Sequence, residues 1–405
     1  MRLQELELDE FRSFRRLRLP IEAAGFRAVG SNASGKSTLL EAIAMLATTR
    51  SPRTAAEREI PHWESGAELS LPPYARLRGA FERLDGLHQI EIGLTIDQRG
   101  QGALRKQARL DDRAVRAVDA VGQLQTVLFS PEDVSLLSGP PAGRRRYLDV
   151  AISQASRSYL RALTQYGRVL EQRNSLLRAF VRDRATPDST RHRHELSFWD
   201  AQLEATATEV LALRIGAITV LCARARHHYE RLTGDRSLNV AYASSRLQVP
   251  KFNTEFRDWR LPDQETRQML AAAFANSLDA SRAEEFRRGV TVIGPHRDDV
   301  AVTASGADLG RFGSRGQQRL AVIALKLGEL DLLEQAAGEP PVLLLDDVLS
   351  ELDSTHRARI IETLDAKHAQ IFVTAADKID LVGTELDRLP LIITDRGAVQ
   401  LDHTL

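Results

Sequence analysis

Hydrophobic and polar positions alternate over several short segments near the start of the chain. Residues 3–8 and 16–19 alternate as the two strands of a hairpin, and residues 69–96 contain further short strands interrupted by turns. Another short strand is predicted at residues 125–129. The pattern therefore predicts a mixed α/β region.

The apolar spacing changes to a helical period in the middle of the chain. From about residue 147 to 181, and again from 196 to 220, apolar side chains recur every three or four positions. The polar residues 182–192 separate these stretches, so an antiparallel helical hairpin is predicted. An ordinary helical subdomain and an interaction arm fit the pattern about equally well. The second stretch is a heptad seam of Leu196, Trp199, Leu203, Thr206, Val210, Leu213, Ala217 and Val220.

The α/β pattern resumes near Val290 and ends with a strand at residues 370–374. We therefore expect an α/β core whose two halves lie at opposite ends of the sequence. The predicted domains are an N-terminal part of the core (1–135), a helical arm or insertion (136–290) and a C-terminal part of the core (291–405).

A phosphate-binding loop follows the predicted strand that ends at Val29. It has the pattern G-x-x-x-x-G-K-S, and helical spacing follows it. In such loops backbone N–H groups at a helix N-terminus bind phosphate, the lysine reaches the terminal phosphates, and the serine ligates Mg²⁺. A plain turn before a helix is the alternative, and the strand–loop–helix context argues against it. The candidate nucleotide-binding residues are Gly30, Ser31, Asn32, Ala33, Ser34, Gly35, Lys36, Ser37 and Thr38.

Two acidic residues follow the continuous apolar run at residues 341–345. A strand that is apolar on both faces belongs inside a parallel sheet, and such sheets bind ligands at the carboxyl ends of their strands. Asp346 is the candidate partner of Mg²⁺, together with Ser37. Asp347 is the candidate that orients or deprotonates the attacking water. Without the phosphate loop, a strand that enters a turn would explain this run equally well.

Composition narrows the class of protein only slightly. The chain has 405 residues, more than one domain usually contains, and its 55 basic and 55 acidic residues cancel. Global charge therefore indicates neither nucleic-acid nor membrane binding. The single cysteine, Cys222, excludes an intrachain disulfide and fits a reducing compartment. No uninterrupted apolar stretch approaches about 18 residues, and the N-terminus does not resemble a signal peptide. We expect a cytoplasmic protein without a membrane span.

Residues 313–319 resemble the ABC-type signature, Leu-Ser-Gly-Gly-Gln, with Arg315 in place of one glycine and Gly313 in place of leucine. Residues 350–353 follow the two acids as the D-loop does in that class. In ABC-type heads the signature caps ATP held by a second subunit, so the resemblance implies a dimer around two ATP molecules. For the serine alone, a helix N-cap is the alternative. The implied residues are Ser314 in a catalytic role and Gly316, Gln317 and Asp353 at the nucleotide.

The helical insertion is larger than transporter ATPases carry and far shorter than the coiled coils of SMC-type proteins. A hairpin of this size resembles the RecF family of bacterial recombination proteins. The resemblance implies an α/β fold: an ABC-type ATPase head split by a helical insertion, with a short antiparallel helical hairpin arm. The matching segments are residues 9–14, 51–54, 129–133, 144–149, 172–174, 294–299 and 345–353.

RecF-like proteins bind DNA in an ATP-dependent way at gaps and single-strand/duplex junctions, and they help to load recombinase. The resemblance implies ATP and Mg²⁺ as cofactors, an ATP-dependent homodimer, RecR as a partner, and RecO and recombinase downstream. It also implies roles in gap repair, replication restart and the SOS response. Asp347 stands where most ABC-type ATPases have Glu, which fits slow, DNA-stimulated hydrolysis used as a switch. A transporter ATPase subunit and an SMC-like structural head with a docking arm are the competing classes.

Several arginines are candidates for contacts with DNA phosphates. Each has a structural alternative, a solvated face or an ion pair. Arg12 resembles a residue of related repair ATPases, which implies a nucleotide contact, and pairing with an acid is its alternative. The candidates for DNA contact are Arg53, Arg144, Arg145 and Arg146, with Arg191 and Arg193 at the hairpin tip.

Three further assignments stay open at the sequence level. Gln123 and Gln125 both lie near the place of the lid glutamine of ABC-type heads. Thr374 is the nearest polar residue to the place where many such heads have a sensor histidine. Residues 296–299 (His-Arg-Asp-Asp) form either a functional cluster or a structural polar network.

Overall fold

A computed structural model describes the chain except for residues 55, 68–70, 98–101, 184–189, 245, 248–257, 351, 377–383, 396 and 403–405. In chain order its strands and α-helices are β1 (Arg2–Phe11), β2 (Phe14–Pro20), β3 (Gly25–Val29), α1 (Lys36–Thr48), β4 (Tyr74–Arg83), β5 (Gly86–Ile96), β6 (Leu104–Leu110), β7 (Arg113–Val115), α2 (Ala117–Ala120), β8 (Thr126–Phe129), α3 (Ser135–Ser138), α4 (Pro141–Ala155), α5 (Arg157–Arg182), α6 (Thr190–Thr233), β9 (Asn239–Ala243), α7 (Gln264–Arg288), β10 (Asp299–Ala304), β11 (Ala307–Asp308), α8 (Leu309–Phe312), α9 (Arg315–Ala337), β12 (Val342–Asp346), α10 (Ser354–Asp365), β13 (Ile371–Ala375), β14 (Leu391–Asp395) and β15 (Ala398–Asp402).

These elements form two compact units. The first joins residues 1–133 to residues 329–405, and the second consists of residues 134–328. The first boundary lies close to the predicted one at 135/136, whereas the second lies well beyond the predicted one at 290/291. The difference arises because β10 pairs with β9, which ties the segment after residue 290 to the helical insertion.

The first unit contains two six-stranded sheets. In one, of order β15-β14-β3-β13-β12-β8, all strands except β15 are parallel to their neighbours. Its register places Val29 beside Ala375 and Asp346 beside Thr374, so the carboxyl ends of β3, β13 and β12 share one edge. The other sheet, of order β2-β1-β4-β5-β6-β7, is antiparallel throughout.

Helix α1 is buried on every side, which fixes the phosphate loop at its N-terminus. Residues 38–47 are all buried, and their apolar side chains share one core with strands of both sheets. A helix that is hydrophobic all round requires such an environment. This core holds the loop at the carboxyl edge of the parallel sheet.

The second unit is built on three long helices. Helices α5 and α6 form the predicted hairpin, and α7 packs against both. The seam residues Leu196, Leu203, Val210 and Leu213 are fully buried, as predicted. The predicted loop at 182–192 lies partly outside the described residues, and α6 continues beyond the predicted seam to Thr233.

Among the described residues, α6 alone is long and apolar enough to cross a membrane by length and composition. Of its most apolar window, 78% is buried inside the protein. Packing against α5 and α7 accounts for this apolar surface, since the core helix of a soluble protein passes the same test. The helix is weak evidence for a membrane span.

Candidate functional site

The phosphate loop connects β3, in the middle of the parallel sheet, to α1. Gly35 has φ +112°, a conformation that L side chains rarely adopt, and an added Cβ would lie 2.9 Å from the Phe14 ring. The Lys36 ammonium donates hydrogen bonds to the carbonyl oxygens of Gly30 (2.5 Å) and Ser31 (3.0 Å). The lysine therefore folds over its own loop and is bonded to neutral oxygens.

Ser37, Asp346 and Thr374 meet at the carboxyl edge of the parallel sheet. The hydroxyls of Ser37 and Thr374 each donate to Asp346 Oδ1 at 2.7 Å. Hydroxyl and carboxylate oxygens are the hard ligands that Mg²⁺ prefers, and this ion usually keeps several waters. The side chains of Ser37 and Asp346 thus fit a Mg²⁺ site, and Thr374 lies beside it.

Asp347 follows the strand in a left-handed conformation, with φ +51°. Its backbone N–H donates to Thr374 Oγ1 (3.1 Å), and its carbonyl oxygen accepts from Ser350 Oγ (2.9 Å). Within the described part of the chain, the Asp347 carboxylate has no hydrogen-bond partner. Asp353 caps α10 by accepting from the N–H groups of Thr355 and His356, and the hydrogen bond from the His356 side chain lowers the pKa of its exposed carboxyl.

Thr394 belongs to this edge, and the sequence analysis did not single it out. Its hydroxyl bonds the buried Ser34 Oγ at 2.6 Å. A Cβ on Gly30 would lie 2.4 Å from the Thr394 carbonyl oxygen, so only glycine fits there. The neighbouring strand β14 therefore holds the phosphate loop from one side. No sequence signal reveals this contact, because it depends on strand order.

The two candidate lid glutamines lie at the wrong edge of the sheet. Gln123 and Gln125 precede β8, which is parallel to β12 and starts beside Val342. The strand length of four residues separates them from the Asp346 edge, roughly 13 Å at about 3.3 Å per residue. Both are buried, and Gln123 bonds to the Asp119 carbonyl oxygen. This placement argues against both open candidates for the lid glutamine.

The signature residues lie at the exposed N-terminus of α9, in the second unit. The Gln317 N–H donates to Ser314 Oγ (3.2 Å), and the Ser314 N–H donates to Gln317 Oε1 (2.9 Å). This reciprocal pair is a capping box. In the single chain, therefore, Ser314 acts as the N-cap of α9. An added Cβ at Gly316 meets no heavy atom within 4 Å. The backbone around the signature therefore remains accessible.

Arg12 pairs with an acid on the phosphate-loop helix. Its Nε and Nη2 atoms donate to the two carboxylate oxygens of Glu41 at 3.2 and 2.8 Å. Its side chain remains 23% exposed. The pairing alternative is therefore realised, and part of the guanidinium still faces solvent.

The candidate DNA-contacting arginines fall into two groups. Arg144 forms a bidentate ion pair with Asp299 and donates to three backbone carbonyls, and Arg145 donates to the Asp298 carbonyl oxygen. These contacts favour the structural interpretation for both. The side chain of Arg53 is 50% exposed, and Arg146 is also exposed. These two residues are better placed to reach a ligand.

Residues 296–299 belong to a polar network inside the second unit. Asp298 accepts from the hydroxyls of Tyr242 (2.6 Å) and Ser244 (2.5 Å). The His296 ring lies between the Tyr166 hydroxyl and the Thr291 carbonyl oxygen. Burial, with nearby arginines, lowers the pKa of His296 to about 4. The internal partners favour the structural alternative for this cluster.

Comparison with known proteins identifies the family. A family model described as the RecF/RecN/SMC N terminal domain matches residues 2–389. The DNA replication and repair protein RecF of Thermomicrobium roseum is 42% identical over 99% of this chain and 100% of that protein. The RecF of Chloroflexus aurantiacus is 42% identical over 94% of each chain. The chain belongs to the RecF family.

Solved structures agree with this assignment. A structure of the recombination mediator protein RecF-ATP in the RecFOR pathway covers 99% of this chain and 97% of that chain, with a TM-score of 0.84 at 28% identity. An Smc head bound to the C-winged helix domain of ScpA covers 99% of this chain, with a TM-score of 0.50 at 14% identity, and shows the fold alone. The predicted fold, an α/β ABC-type ATPase head split by a helical insertion, is confirmed, as is the family. Membership in the RecF family contradicts the transporter alternative.

Proposed function

We propose that this chain is an ATP-dependent DNA-binding protein of recombinational gap repair and replication restart. It dimerises on ATP, binds single-strand/duplex junctions and assists recombinase loading, and slow ATP hydrolysis ends the bound state. The observation that carries the proposal is the assembled group of Lys36, Ser37 and Asp346 in a RecF-family chain. Relatives named as DNA replication and repair proteins, and a related RecF-ATP structure, support it.

The loop geometry explains how the phosphates of ATP would be bound. Among the described residues Lys36 bonds two neutral carbonyl oxygens, and anionic phosphate oxygens would replace them with stronger, charge-assisted hydrogen bonds. Residues 30–38 supply the backbone N–H groups at the N-terminus of α1. A Mg²⁺ ion held by Ser37 and Asp346 would neutralise phosphate charge. Asp347, whose carboxylate has no hydrogen-bond partner among the described residues, would orient the attacking water.

The exposed signature supports a dimer that closes on nucleotide. Ser314, Gly316 and Gln317 lie at an accessible helix N-terminus, and one nucleotide cannot easily use two such sites from one chain. A second copy that binds through its ATP would add binding energy to the dimer, and hydrolysis would remove it. Asp353 of the D-loop would lie at the same closure. RecR as a partner, RecO and recombinase downstream, and a cytoplasmic location complete the proposal.

DNA binding is the step to test first. We would measure the fluorescence anisotropy of a labelled gapped duplex with and without ATP–Mg²⁺ over a salt series. We expect ATP-dependent, salt-sensitive binding, because phosphate contacts release counterions. Lys36→Met should abolish the ATP response. Lys367→Met is the matched control, since that lysine pairs with Asp331 and Glu334 outside the site and should keep the response.

Each outcome bears on a different part of the proposal. Loss of the ATP response in Lys36→Met alone supports a nucleotide-gated DNA clamp. Binding by the wild type that ignores ATP contradicts the gating. If the protein binds no DNA with or without nucleotide, the proposed DNA function is contradicted, whereas the ATPase fold is unaffected.

A further inference from the structure

Glu41 is a fully buried carboxylate one turn beyond Ser37 on α1. Its two oxygens accept from Arg12 Nε (3.2 Å), Arg12 Nη2 (2.8 Å) and Ser51 Oγ (2.6 Å). Arg53 Nη1 lies 4.0 Å from the same carboxylate. An ionised carboxylate is costly to bury unless it is paired, so two arginines share Glu41 as their counter-ion.

Arg12 lies beside the phosphate loop. It occupies the turn between β1 and β2, and the following residues, Ser13 and Phe14, would lie within 3.3 Å of a Cβ on Gly35. Its backbone has φ +55°, which costs of order 1 kcal/mol for a residue other than glycine. Bonds from its N–H to the Ile60 carbonyl (2.8 Å) and from Nη1 to the Glu59 carbonyl (3.0 Å) stabilise that conformation.

The Arg12 guanidinium retains donors for a ligand. A guanidinium has five N–H donors in a fixed fork. One on Nε and one on Nη2 bind Glu41, and one on Nη1 binds the Glu59 carbonyl. One donor on each terminal nitrogen therefore remains without a partner among the described residues. The side chain is 23% exposed, which leaves these donors accessible at the edge of the phosphate site.

The second arginine is carried by a turn anchored to the same carboxylate. Ser51 donates to Glu41, and its oxygen accepts from the N–H groups of Arg53 and Thr54, both at 3.1 Å. Half of the Arg53 side chain faces solvent. A movement of this turn is therefore transmitted to Glu41 through one hydrogen bond and one ion pair.

We propose that Glu41 is a positioning residue that fixes Arg12 for the nucleotide and couples it to DNA contact at Arg53. The inference rests on the proposed ATP and DNA binding. When a DNA phosphate binds Arg53, this arginine moves away from Glu41. Glu41 then pairs with Arg12 alone, and the stronger pairing orders the Arg12 guanidinium at the nucleotide. DNA then raises the affinity for ATP, and by linkage ATP raises the affinity for DNA by the same factor.

The positioning role is tested by ATP affinity, measured by isothermal titration with ATP–Mg²⁺. Glu41→Gln removes the charge and one acceptor oxygen, so we expect about tenfold weaker binding, the scale of one charge-assisted hydrogen bond. Glu285→Gln is the matched control, because Glu285 is equally buried and pairs with Arg173 in the other unit. Both variants should unfold at lower temperature, and Glu285→Gln should keep its ATP affinity within about twofold.

A double-mutant cycle shows whether Glu41 acts through Arg12. In that case Arg12→Ala combined with Glu41→Gln binds ATP no more weakly than Arg12→Ala alone, within about twofold. Additive losses, or a Glu41→Gln protein with wild-type ATP affinity, would overturn the positioning role. If the wild-type protein itself binds no ATP, the proposed function fails as well, whereas a defect confined to Glu41→Gln concerns this inference only.

The coupling is tested with a milder variant that does not depend on Glu41→Gln folding. Ser51→Ala removes the hydrogen bond between the Arg53 turn and Glu41 and leaves the carboxylate in place. We expect the ratio of ATP affinities with and without gapped duplex to fall toward one in this variant. A ratio equal to that of the wild type both in this variant and in Arg53→Gln, which lacks the ion pair, would show that coupling does not pass through Glu41.

Discussion

The Asp298-Asp299 pair of the second unit and the Asp346-Asp347 pair of the first show how differently the two units use the same side chains. In the second unit, Asp298 is buried and accepts two hydroxyl hydrogen bonds, from Tyr242 and Ser244. Its neighbour Asp299 is bidentate with Arg144. This pair has the contacts that buried carboxylates need, and it belongs to the architecture.

The Asp346-Asp347 pair has fewer protein partners. Asp346, like Asp298, accepts two hydroxyl hydrogen bonds. Within the described residues, however, the Asp347 carboxylate has no hydrogen-bond partner, whereas Asp299 is bound by Arg144. Both are partly exposed at the carboxyl edge of a parallel sheet. Incomplete pairing at such an edge is typical of a site that a ligand completes, whereas complete pairing in a core is typical of structure. The partners of a carboxylate therefore distinguish a ligand-binding aspartate from a structural one better than the residue type does.

The largest expected effect is a loss of stability when a buried ion pair of the second unit is removed. Arg173 is fully buried and donates to Glu285 (2.6 Å), Asp200 (2.9 Å) and Thr291 (2.8 Å). Arg173→Ala leaves a buried carboxylate unpaired, so the free energy of unfolding should fall by about 3–5 kcal/mol. Urea denaturation followed by circular dichroism measures it.

The control for this prediction is an arginine at the end of the same helix. Arg182 is 78% exposed and, among the described residues, pairs with its neighbour Asp183 alone, so Arg182→Ala should change stability by less than about 0.5 kcal/mol. Equal effects of the two substitutions would contradict the assignment of the Arg173 network to architecture.

The next effect concerns the exposed signature. Ser314→Arg places a long cation where a second copy would approach, so ATP-dependent dimerisation should weaken by more than about 100-fold, some 2.7 kcal/mol. ATP binding by the monomer should persist, because this serine lies outside the phosphate loop. Sedimentation velocity with ATP–Mg²⁺ and titration of the same sample provide the two readouts.

Ser314→Thr is the matched control, since it retains an oxygen that can cap α9. If Ser314→Thr dimerises normally with ATP, the defect of Ser314→Arg comes from obstruction of the interface or from loss of the serine cap, and not from any change at this position. Loss of ATP binding by the Ser314→Arg monomer would contradict a role across subunits.

The same substitution in both Asp-Asp pairs tests the comparison directly. Asp347→Asn removes the candidate base and suits the left-handed backbone, since Asn tolerates that conformation. ATP turnover should fall about tenfold to 100-fold with little change in stability, and the dimer should persist longer. Asp298→Asn should instead lower stability through its hydroxyl network, without touching the phosphate site. Unchanged turnover in Asp347→Asn would remove Asp347 from the catalytic assignment.

The sequence was sufficient for the parts of the site that depend on contiguous residues. Residues 30–38 and 341–347 carry their chemistry in local order, and apolar stretches predict the strands that lead into the phosphate loop and the two acids. The buried seam of α6 was likewise visible, because a helix repeats its facing positions at fixed spacing.

What sequence reasoning missed depends on which strands and turns become neighbours. Thr394 reaches the phosphate loop because β14 lies beside β3, and Glu41 meets Arg12 because the β1–β2 turn lies against α1. The placement of the two candidate lid glutamines was missed for the same reason, since the direction of β8 places Gln123 and Gln125 at the far edge. Sequence also could not decide between a functional cluster and a structural network for residues 296–299, because the partners of Asp298 and Asp299 lie more than fifty positions away.

The last prediction compares the two units through the dependence of stability on pH. Burial lowers the pKa of His296 to about 4, against about 6.5 in the unfolded chain. Between these values the unfolded chain binds more protons, so this histidine makes folding less favourable as pH falls from 7 to 5. The expected contribution is about 2 kcal/mol by linkage. Burial also raises the pKa values of Asp298 and Glu285, which opposes the trend, so a difference between variants is the right measurement.

His296→Gln removes the histidine contribution and leaves both carboxyls in place. The wild type should lose about 2 kcal/mol more stability than the variant between pH 7 and pH 5, measured by urea denaturation at each pH. ATP affinity should not follow the same difference, because the His296 network lies within the second unit and the phosphate loop within the first. Equal pH dependence of stability in the two proteins would mean that His296 has the same pKa in the folded and unfolded chain. The contrast between a closed polar network in the second unit and an open site in the first would then fail.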